Sequence, residues 1–389
     1  MSKIKITEDR FSRLQMIGWW DQKRLSQAKI MVVGAGALGN EVIKNLALYG
    51  IGNILIIDFD KIEESNLTRA VLFRETDVGR YKAEVAAERV KEIYSGTKVM
   101  WLNSNIVSDI GLGVFRQMDA IIGCLDNREA RFYLNKYAWR VGKPWIDGGI
   151  QEIMGTFAVF DPRSPESACY ECTLTDEDYK ILNIRYSCPL LKREDILSGK
   201  SPTTPSISSI IGGFQVQEAI KILHNIKVNP GTVYFINGRT NLFDYIKFER
   251  KEDCQSHLTY EPIIEIDDES QNLTFSDLID IGSKYLKGED IYVNLDRDIL
   301  IKFVCLNCGK EEYIYEPLSK VSEEKEICPY CGKKRKFEAT NIIRKGDELA
   351  SKQLTDLGLP KFHIYEVTDS NNSVYLEIKG DMDQVLNFK

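Results

Sequence analysis

An apolar run, a turn with three glycines and a helical pattern near the start of the chain limit its fold more than any other feature. Residues 30–33 are apolar, and apolar positions at a helical spacing follow the turn. A second apolar run at residues 54–57 ends at Asp58. Glycines in such a turn permit a tight bend, close approach of a phosphate to the backbone, and packing of the helix on the strand. The pattern predicts a nucleotide-binding βαβ unit, whose glycines are Gly34, Gly36 and Gly39.

The same alternation of strand and helix continues along the first half of the chain. The predicted elements are a helix at 82–94, strands at 99–102 and 120–123, a helix at 128–141 and a strand at 144–147. This order is typical of an α/β fold with a doubly wound, Rossmann-like parallel sheet. Ligands of such sheets bind beyond the carboxyl ends of the strands, so we expect the glycine turn, Asp58 and Asp126 to lie around one crevice.

Composition excludes several classes of protein. Hydrophobic residues make up 43% and charged residues 28%, which is ordinary for a globular chain. The 51 basic and 58 acidic residues give a net charge of −7, which disfavours nucleic acid or an anionic membrane as the main partner. No apolar run approaches the roughly 20 residues of a membrane span, and the first residues lack the apolar core of a secretory signal. We expect a cytoplasmic protein.

The chain divides by composition into two parts. Residues 1–260 hold the nucleotide-binding pattern, and within them a polar stretch at about 173–205 is predicted to be a crossover loop ahead of a buried helix at 207–223. From 261 onward an acidic segment leads to a region of short strands and turns that contains four cysteines. We expect a second, α+β domain at 261–389, for which a ubiquitin-like fold is a topological analogy only.

The cysteines of the second part are spaced as in a zinc ribbon. CLNCGK and CPYCGK give the pattern C-x₂-C-x₁₉-C-x₂-C, and a glycine follows each pair. Glycine permits the positive φ at which backbone N–H groups face the sulfurs. No thioredoxin-like βαβ pattern surrounds the pairs, so a structural Zn²⁺ is predicted rather than redox chemistry. Its ligands are Cys305, Cys308, Cys328 and Cys331.

Five motifs in one order resemble those of the ThiF/MoeB and ubiquitin-activating enzyme superfamily. They are RFSRLQMIG, VVGAGALGNEV, IIDFDKIEESNLTRAVLF, DVGRYKAEVAA and GCLDN. The resemblance covers residues 8–258 and implies an E1-like adenylyltransferase. Such enzymes use ATP and Mg²⁺ to adenylate the C-terminal glycine of a ubiquitin-like or sulfur-carrier protein.

The residues at the matching positions suit that chemistry. The carboxylate of Asp58 can accept hydrogen bonds from a ribose. Arginine and lysine stabilise the charge that develops on departing pyrophosphate, which is the expected role of Arg69 and Lys82 beside Asn66. Asp126 matches the family aspartate that holds Mg²⁺, a cation that prefers carboxylate oxygen. Asp60 is either an accessory ligand of metal or phosphate or a residue of a surface turn.

Arg13 matches an arginine that reaches the neighbouring subunit's ATP in relatives. Its presence beside a complete set of in-chain residues favours a symmetric homodimer.

The resemblance also assigns most of the remaining cysteines. It implies a second structural Zn²⁺, so we expect two zinc sites per chain. Histidine replaces the last of four cysteines in this second set, but imidazole nitrogen is an ordinary zinc ligand. Its ligands are Cys169, Cys172, Cys254 and His257. Cys188 lies where ubiquitin-activating relatives carry the thioester-forming cysteine, although Pro189 replaces their threonine. A structural or merely exposed Cys188 stays an alternative, and Cys124 is interpreted as a core residue.

The expected function is activation of a ubiquitin-like protein by adenylation, followed by thioester transfer to Cys188 and delivery to a conjugating enzyme. One alternative is a sulfur-carrier adenylyltransferase, in which a sulfur donor takes the place of the conjugating enzyme. A binding scaffold without turnover is a second alternative. An NAD-dependent oxidoreductase is a third, and it leaves the cations and Cys188 unexplained.

Overall fold

The computed structural model describes residues 8–175, 177–178, 202–269 and 272–386. The larger of its two sheets has eight strands. They are β1 (Lys29–Val33), β2 (Asn53–Ile57), β3 (Lys98–Leu102), β4 (Ala120–Gly123), β5 (Trp145–Gln151), β6 (Met154–Phe160), β7 (Thr232–Asn237) and β8 (Leu242–Lys247). Their order across the sheet is β3-β2-β1-β4-β5-β6-β7-β8. The first five strands pair in parallel, and β6, β7 and β8 continue the sheet with antiparallel pairing. The predicted doubly wound, Rossmann-like sheet is confirmed.

Helices cover both faces of this sheet. They are α1 (Ser12–Gln15), α2 (Gln22–Gln27), α3 (Ala37–Leu48), α4 (Lys82–Ile93), α5 (Leu112–Arg116), α6 (Arg128–Arg140) and α7 (Pro205–Leu223). Side chains alternate along a strand, so Ile30 and Val32 of β1 pack with α3, α4 and α7, whereas Met31 and Val33 pack with α5 and α6. The strand order reverses between β1 and β4, which places a crevice at their carboxyl ends.

The second sheet belongs to the C-terminal module. Its strands are β9 (Ile263–Ile266), β10 (Tyr292–Val304), β11 (Glu311–Pro317), β12 (Lys336–Arg344), β13 (Ile364–Thr368) and β14 (Ser373–Ile378), with helices α8 (Phe275–Gly282) and α9 (Met382–Val385). The order is β11-β10-β13-β14-β9, and β12 pairs with β10. Thr274 and Asp277 form a capping box at the start of α8, whose apolar face packs in this module's own core.

The two sheets share one hydrophobic cluster. Phe362 and Ile364 of the C-terminal module pack in the same cluster as Phe115 and Tyr137, which belong to α5 and α6. The N–H of Gly113 donates to the carbonyl of Phe362 at 2.8 Å. Core residues that precede residue 260 in the sequence and core residues that follow it pack in this one cluster. The division into two domains at that position therefore stays a prediction, and so does the analogy with a ubiquitin-like fold.

Charged side chains are buried in the same contact. Asp296 of β10 accepts hydrogen bonds from Arg297 at 2.8 Å and from Arg140 of α6 at 3.3 Å. Burial acts to raise the pKa of the Asp296 carboxyl, but Arg297 and His363 outweigh burial and hold that pKa well below its usual range. The carboxylate therefore stays charged in the interior, where it neutralises the guanidinium of Arg140 at the end of α6.

No helix in the described ranges is both long enough and apolar enough to cross a bilayer.

Candidate functional site

The glycine turn joins β1 to α3 with almost no space for side chains. Gly34 has a φ of +96°, and a Cβ there would lie 2.4 Å from the carbonyl oxygen of Cys124. A Cβ on Gly39 would lie 2.0 Å from the carbonyl oxygen of Gly34. A Cβ on Gly36, by contrast, would meet no atom within 4 Å. Gly34 and Gly39 are therefore required by packing, whereas Gly36 leaves open space at the N-terminus of α3, the end of a helix that attracts anions.

Asp58 ties the end of β2 to this turn. One carboxylate oxygen accepts a hydrogen bond from the N–H of Ala35 at 2.7 Å, and the other accepts from the N–H of Asp60 at 2.7 Å. Burial raises the pKa of Asp58, while Lys82 and the hydrogen bond from Ala35 act in the opposite direction. Each oxygen of an ionised carboxylate has two lone pairs, so Asp58 can still accept a hydrogen bond from a ligand hydroxyl.

Lys82 and Asp60 form an ion pair beside Asp58. The Nζ atom of Lys82 lies 2.7 Å from a carboxylate oxygen of Asp60. The Lys82 side chain is only 12% exposed, whereas that of Asp60 is 52% exposed. The backbone N–H of Lys82, the first residue of α4, also donates to the carbonyl of Asp60 at 3.0 Å. The lysine is thus fixed by packing and by its partner, and it adds a positive charge to the crevice.

Asn66 and Arg69 lie on the segment between β2 and α4. The side-chain oxygen of Asn66 accepts a hydrogen bond from the N–H of Glu63 at 3.0 Å, within a short 3₁₀ turn. The guanidinium of Arg69 donates to the carbonyl of Ser65 at 2.6 Å. Both side chains are half-buried. The segment itself is fastened to the glycine turn, since the N–H of Leu72 donates to the side chain of Asn40 at 2.9 Å.

Asp126 follows β4 at the same edge of the sheet. Its side chain is exposed and accepts a hydrogen bond from the side chain of Asn127 at 3.3 Å. Asn127 caps α6 by accepting from the N–H of Ala130 at 2.8 Å. Cys124, two residues before Asp126, contacts the glycine turn at Gly34. The structure thus brings the end of β4 and the glycine turn to one crevice, as the strand order predicts.

Arg13 lies far from this crevice within the chain. It belongs to α1, and the neighbouring Phe11 packs 5.3 Å from the ring of Tyr94, which follows the C-terminus of α4. The ring of Phe11 also fills the space beside Gly50, just after α3. Because α3 is 12 residues long, α1 and the glycine turn are separated by about 18 Å of helix. Contact between Arg13 and a nucleotide on another subunit stays a prediction.

The predicted zinc set that contains His257 comes together in space. The Sγ atom of Cys169 lies 3.7 Å from that of Cys172 and 3.6 Å from that of Cys254, and the Nε2 atom of His257 lies 3.3 Å from Cys172. All four ligand atoms lie within 4.8 Å of one another. Tetrahedral Zn²⁺ with Zn–S bonds of about 2.3 Å has S···S edges of about 3.8 Å. The four residues therefore fit a closed zinc site.

The ribbon cysteines form a second cluster of the same size. The Sγ atoms of Cys305 and Cys331 are 3.5 Å apart, and those of Cys308 and Cys328 are 3.7 Å apart. Gly309 and Gly332 have φ values of +71° and +69°. In each knuckle the N–H of the glycine donates to the carbonyl of the first cysteine, at 2.8 and 2.9 Å. Four thiolates at these distances also fit tetrahedral Zn²⁺.

Cys188 lies outside the described residues.

Two residues that support the crevice are not predicted from the sequence. Arg131 of α6 donates to the carbonyls of Leu125 at 2.6 Å and Gly148 at 3.0 Å and pairs with Asp147 at 3.0 Å. In the sequence it is one basic residue in an amphipathic helix, and its main partners are backbone carbonyls. Asn40 has a weak sequence signal, because it is a polar residue among the apolar positions of α3.

Comparison with known proteins identifies relatives of the larger part. Residues 9–256 match the ThiF family. The chain is 30% identical over 250 residues to adenylyltransferase and sulfurtransferase MOCS3 of Culex quinquefasciatus, covering 63% of this chain and 54% of that protein. It is 42% identical over 163 residues to the NEDD8-activating enzyme E1 catalytic subunit of Caenorhabditis elegans, covering 39% of this chain and 37% of that protein. It is 34% identical over 170 residues to the sulfur carrier protein adenylyltransferase of Thermus thermophilus, covering 42% of this chain and 63% of that protein.

The chain thus spans less than two thirds of the length of each of these relatives. Among solved structures, E. coli MccB crystallised with ATP superposes with a TM-score of 0.53 and 26% identity, over 65% of this chain and 75% of MccB.

Proposed function

Because the chain belongs to the ThiF family, we propose that it is an ATP-dependent adenylyltransferase that activates the C-terminal glycine of a small ubiquitin-like or sulfur-carrier protein. The observation that carries this proposal is the convergence of three segments on one crevice. The open N-terminus of α3, the ion-paired Lys82 and the exposed Asp126 together offer an anion site, a cation and a metal ligand. Relatives named as adenylyltransferases support it further.

The reaction requires positioning and charge stabilisation more than proton transfer. A carboxylate oxygen of the carrier's C-terminus attacks the α-phosphorus of ATP, and the bond between the α-phosphorus and its bridging oxygen breaks, so that pyrophosphate leaves. The attacking carboxylate is already ionised and needs no general base. In this proposal Lys82 and Arg69 stabilise the charge on pyrophosphate, with Asn66 beside them, while Asp58 binds the ribose. Asp126 would hold Mg²⁺, which neutralises phosphate charge.

A protein substrate is supported by the surface of β8. This strand forms the edge of the larger sheet, and the apolar side chains of Leu242, Phe243, Tyr245 and Ile246 are about half exposed or more. A cavity of about 310 Å³ opens beside it, lined largely by apolar residues that include Ile207 and Ile236. An exposed apolar edge strand of this kind fits another protein better than a small polar molecule.

We propose further that Cys188 receives the activated glycine, with the thiolate attacking the acyl carbon and AMP leaving. In that case the enzyme is an activating enzyme for a ubiquitin-like modifier, and a conjugating enzyme is its next partner. The alternative is a sulfur-carrier adenylyltransferase, which is favoured by the MOCS3 and Thermus relatives. A homodimer, a bound zinc at each cysteine cluster and a role for the C-terminal module in partner docking belong to the same proposal.

Carrier-dependent exchange of labelled pyrophosphate into ATP tests the adenylation step. Each small protein with a C-terminal glycine from the same genome is added in turn. We expect exchange with at least one of them and a loss of about a hundredfold or more in Lys82→Gln. Lys221→Gln serves as the control and should keep exchange, because Lys221 forms a comparable ion pair with Glu218 at the C-terminal end of α7. No exchange with any carrier would contradict an adenylyltransferase and favour a scaffold.

The reaction product distinguishes an activating enzyme for a ubiquitin-like modifier from a sulfur-carrier adenylyltransferase. With ATP and the active carrier, a modifier-activating enzyme forms an adduct that thiols cleave and that Cys188→Ala cannot form. A sulfur-carrier enzyme instead yields a carrier with a C-terminal thiocarboxylate once a sulfur donor is added, which mass spectrometry detects. Persistence of the thiol-sensitive adduct in Cys188→Ala would exclude Cys188 as the nucleophile.

A further inference from the structure

Asn40 is a fully buried polar residue on the apolar side of α3. Its neighbours Val42 and Ile43 are buried core residues, and Asn40 itself is 0% exposed. The side-chain nitrogen donates to the carbonyls of Ala35 at 2.7 Å and Gly36 at 2.9 Å. The side-chain oxygen accepts from the N–H of Leu72 at 2.9 Å. A single amide group therefore makes three hydrogen bonds in the interior.

These three bonds join two segments that are far apart in sequence. Ala35 and Gly36 belong to the glycine turn, whereas Leu72 follows Arg69 by three residues on the segment between β2 and α4. The N–H of Ala35 donates to Asp58 at 2.7 Å, so each of the two peptide units that flank the Cα atom of Ala35 is held by a side chain. An apolar side chain at position 40 would leave the carbonyl of Ala35 and the N–H of Leu72 without this partner in the interior, whereas the carbonyl of Gly36 would keep the backbone N–H of residue 40 at 2.9 Å.

We propose that Asn40 is a positioning residue that keeps the glycine turn and residues 66–72 in the one arrangement that surrounds the polyphosphate of ATP. This inference rests on the proposed function, because ATP is the ligand that it invokes. Asn40 touches no reacting atom. It acts through the backbone of the turn, which faces the phosphates, and through the segment that carries Asn66 and Arg69. Loss of the Asn40 side chain therefore weakens binding of the polyphosphate more than binding of the nucleoside.

The test compares Asn40→Ala with a matched control in the full chain. Asn53 is also buried and donates to the carbonyl of Ala28 at 3.1 Å, but it begins β2 at the opposite end of the sheet. Binding of fluorescent ATP and AMP analogues is measured with Mg²⁺ and without any carrier protein. We expect Asn40→Ala to reduce the preference for ATP over AMP about fivefold. Asn53→Ala should leave that preference unchanged, although both variants unfold at a lower temperature.

An unchanged preference for ATP in folded Asn40→Ala would overturn the inference. If that variant does not fold, hydrogen exchange of the wild-type chain decides the question. ATP should then slow exchange in peptides from residues 34–40 and 66–73 together, and slowing in only one of them would overturn the inference. A wild-type chain that binds ATP in this manner but exchanges no pyrophosphate would refute the adenylation proposal alone.

Discussion

Arg131 illustrates how one side chain fixes a loop that carries another. Its guanidinium donates to the carbonyl of Leu125, which directly precedes Asp126, and to the carbonyl of Gly148 in β5. Burial acts to lower the pKa of Arg131, but Asp147 outweighs burial and raises it, so the group stays charged. The planar fork of arginine reaches three acceptors at once, and the position of Asp126 depends on that geometry.

We predict that Arg131→Lys weakens the response of the enzyme to Mg²⁺. Lysine keeps the charge but cannot reproduce the fork, so the loop before Asp126 loses hydrogen bonds. The Mg²⁺ concentration for half-maximal pyrophosphate exchange should rise about tenfold. Arg140→Lys is the control, because Arg140 is buried on the same helix but pairs with Asp296. An equal rise in both variants would indicate general loosening of α6 instead.

At the residue scale, the sequence predicts those site residues whose chemistry is carried by the side chain alone. Asp58 and Lys82 lie at one crevice. Their positions could be predicted because hydrophobic periodicity shows where a strand ends and where a helix begins. The sequence gives no signal for Arg131 and only a weak one for Asn40, since most of their partners are backbone groups that only the tertiary fold brings near. The environment of Cys188 lies outside the described residues, and its role as nucleophile stays a prediction.

At the scale of single elements, the glycine turn with α3 combines two packing requirements with one opening. Gly34 and Gly39 are confined by neighbouring carbonyl groups, and Gly36 faces empty space. The same three glycines look equivalent in sequence. Only the packed structure separates the glycines that the fold needs from the glycine that leaves room for a ligand.

We predict that Gly36→Ala separates ligand binding from stability. Gly36 has a negative φ, and an added Cβ meets no atom within 4 Å, so unfolding temperature should change little. The methyl group nevertheless occupies the space before the N-terminus of α3, and binding of a fluorescent ATP analogue should weaken at least tenfold. Gly213→Ala is the control, because Gly213 lies inside α7 and a Cβ there also meets no atom within 4 Å. That control should stabilise the chain by about 0.5–1 kcal/mol and leave ATP binding intact. Unchanged ATP binding in Gly36→Ala would refute a phosphate site at this turn.

The two cysteine clusters make a prediction about metal content. We expect two Zn²⁺ per chain in protein purified without chelator, measured by elemental analysis. Cys328→Ser should retain one zinc because the cluster containing His257 is separate, and Cys172→Ser should retain the other. The spacing of the cysteines alone predicts the ribbon zinc site, whereas the prediction of the site with His257 rests on the family resemblance. One zinc or none in the wild-type chain would contradict this assignment.

At the scale of the whole molecule, the C-terminal module is fastened to the larger sheet through α6. Arg140 at the end of that helix pairs with Asp296, and its carbonyl accepts from the N–H of Tyr260 at 2.8 Å. The ring of Trp139 lies 5.2 Å from that of His257, which belongs to the cluster with Cys169, Cys172 and Cys254. No periodicity in the sequence indicates this contact, because it joins residues more than 100 positions apart. The sequence predicts short strands in this module, but it does not predict how the strands pair or how the module packs against α6.

This contact predicts that the chain loses stability in mild acid. His363 is buried 3.6 Å from Asp296 with Arg297 and Arg140 nearby, and burial lowers the pKa of His363 below its usual value. The unfolded chain therefore binds a proton first, so stability falls as pH drops below about 6.5. The depressed pKa of Asp296 adds a second loss below about pH 4. Urea unfolding between pH 7.5 and 5.5 should show the first loss, and it should be smaller in His363→Gln. An equal slope in that variant would assign the effect to other groups.

The shared core also has a consequence for the order in which the chain folds during synthesis. Phe115 and Tyr137 of the larger part pack in one cluster with Phe362 and Leu386. Phe362 leaves the ribosome 247 residues after Phe115. At about 5–20 residues per second, that delay lasts roughly 12 to 50 seconds. During this interval the apolar side chains of α5 and α6 that pack against the C-terminal module lack that cover, which makes nascent chains of this length candidates for chaperone binding.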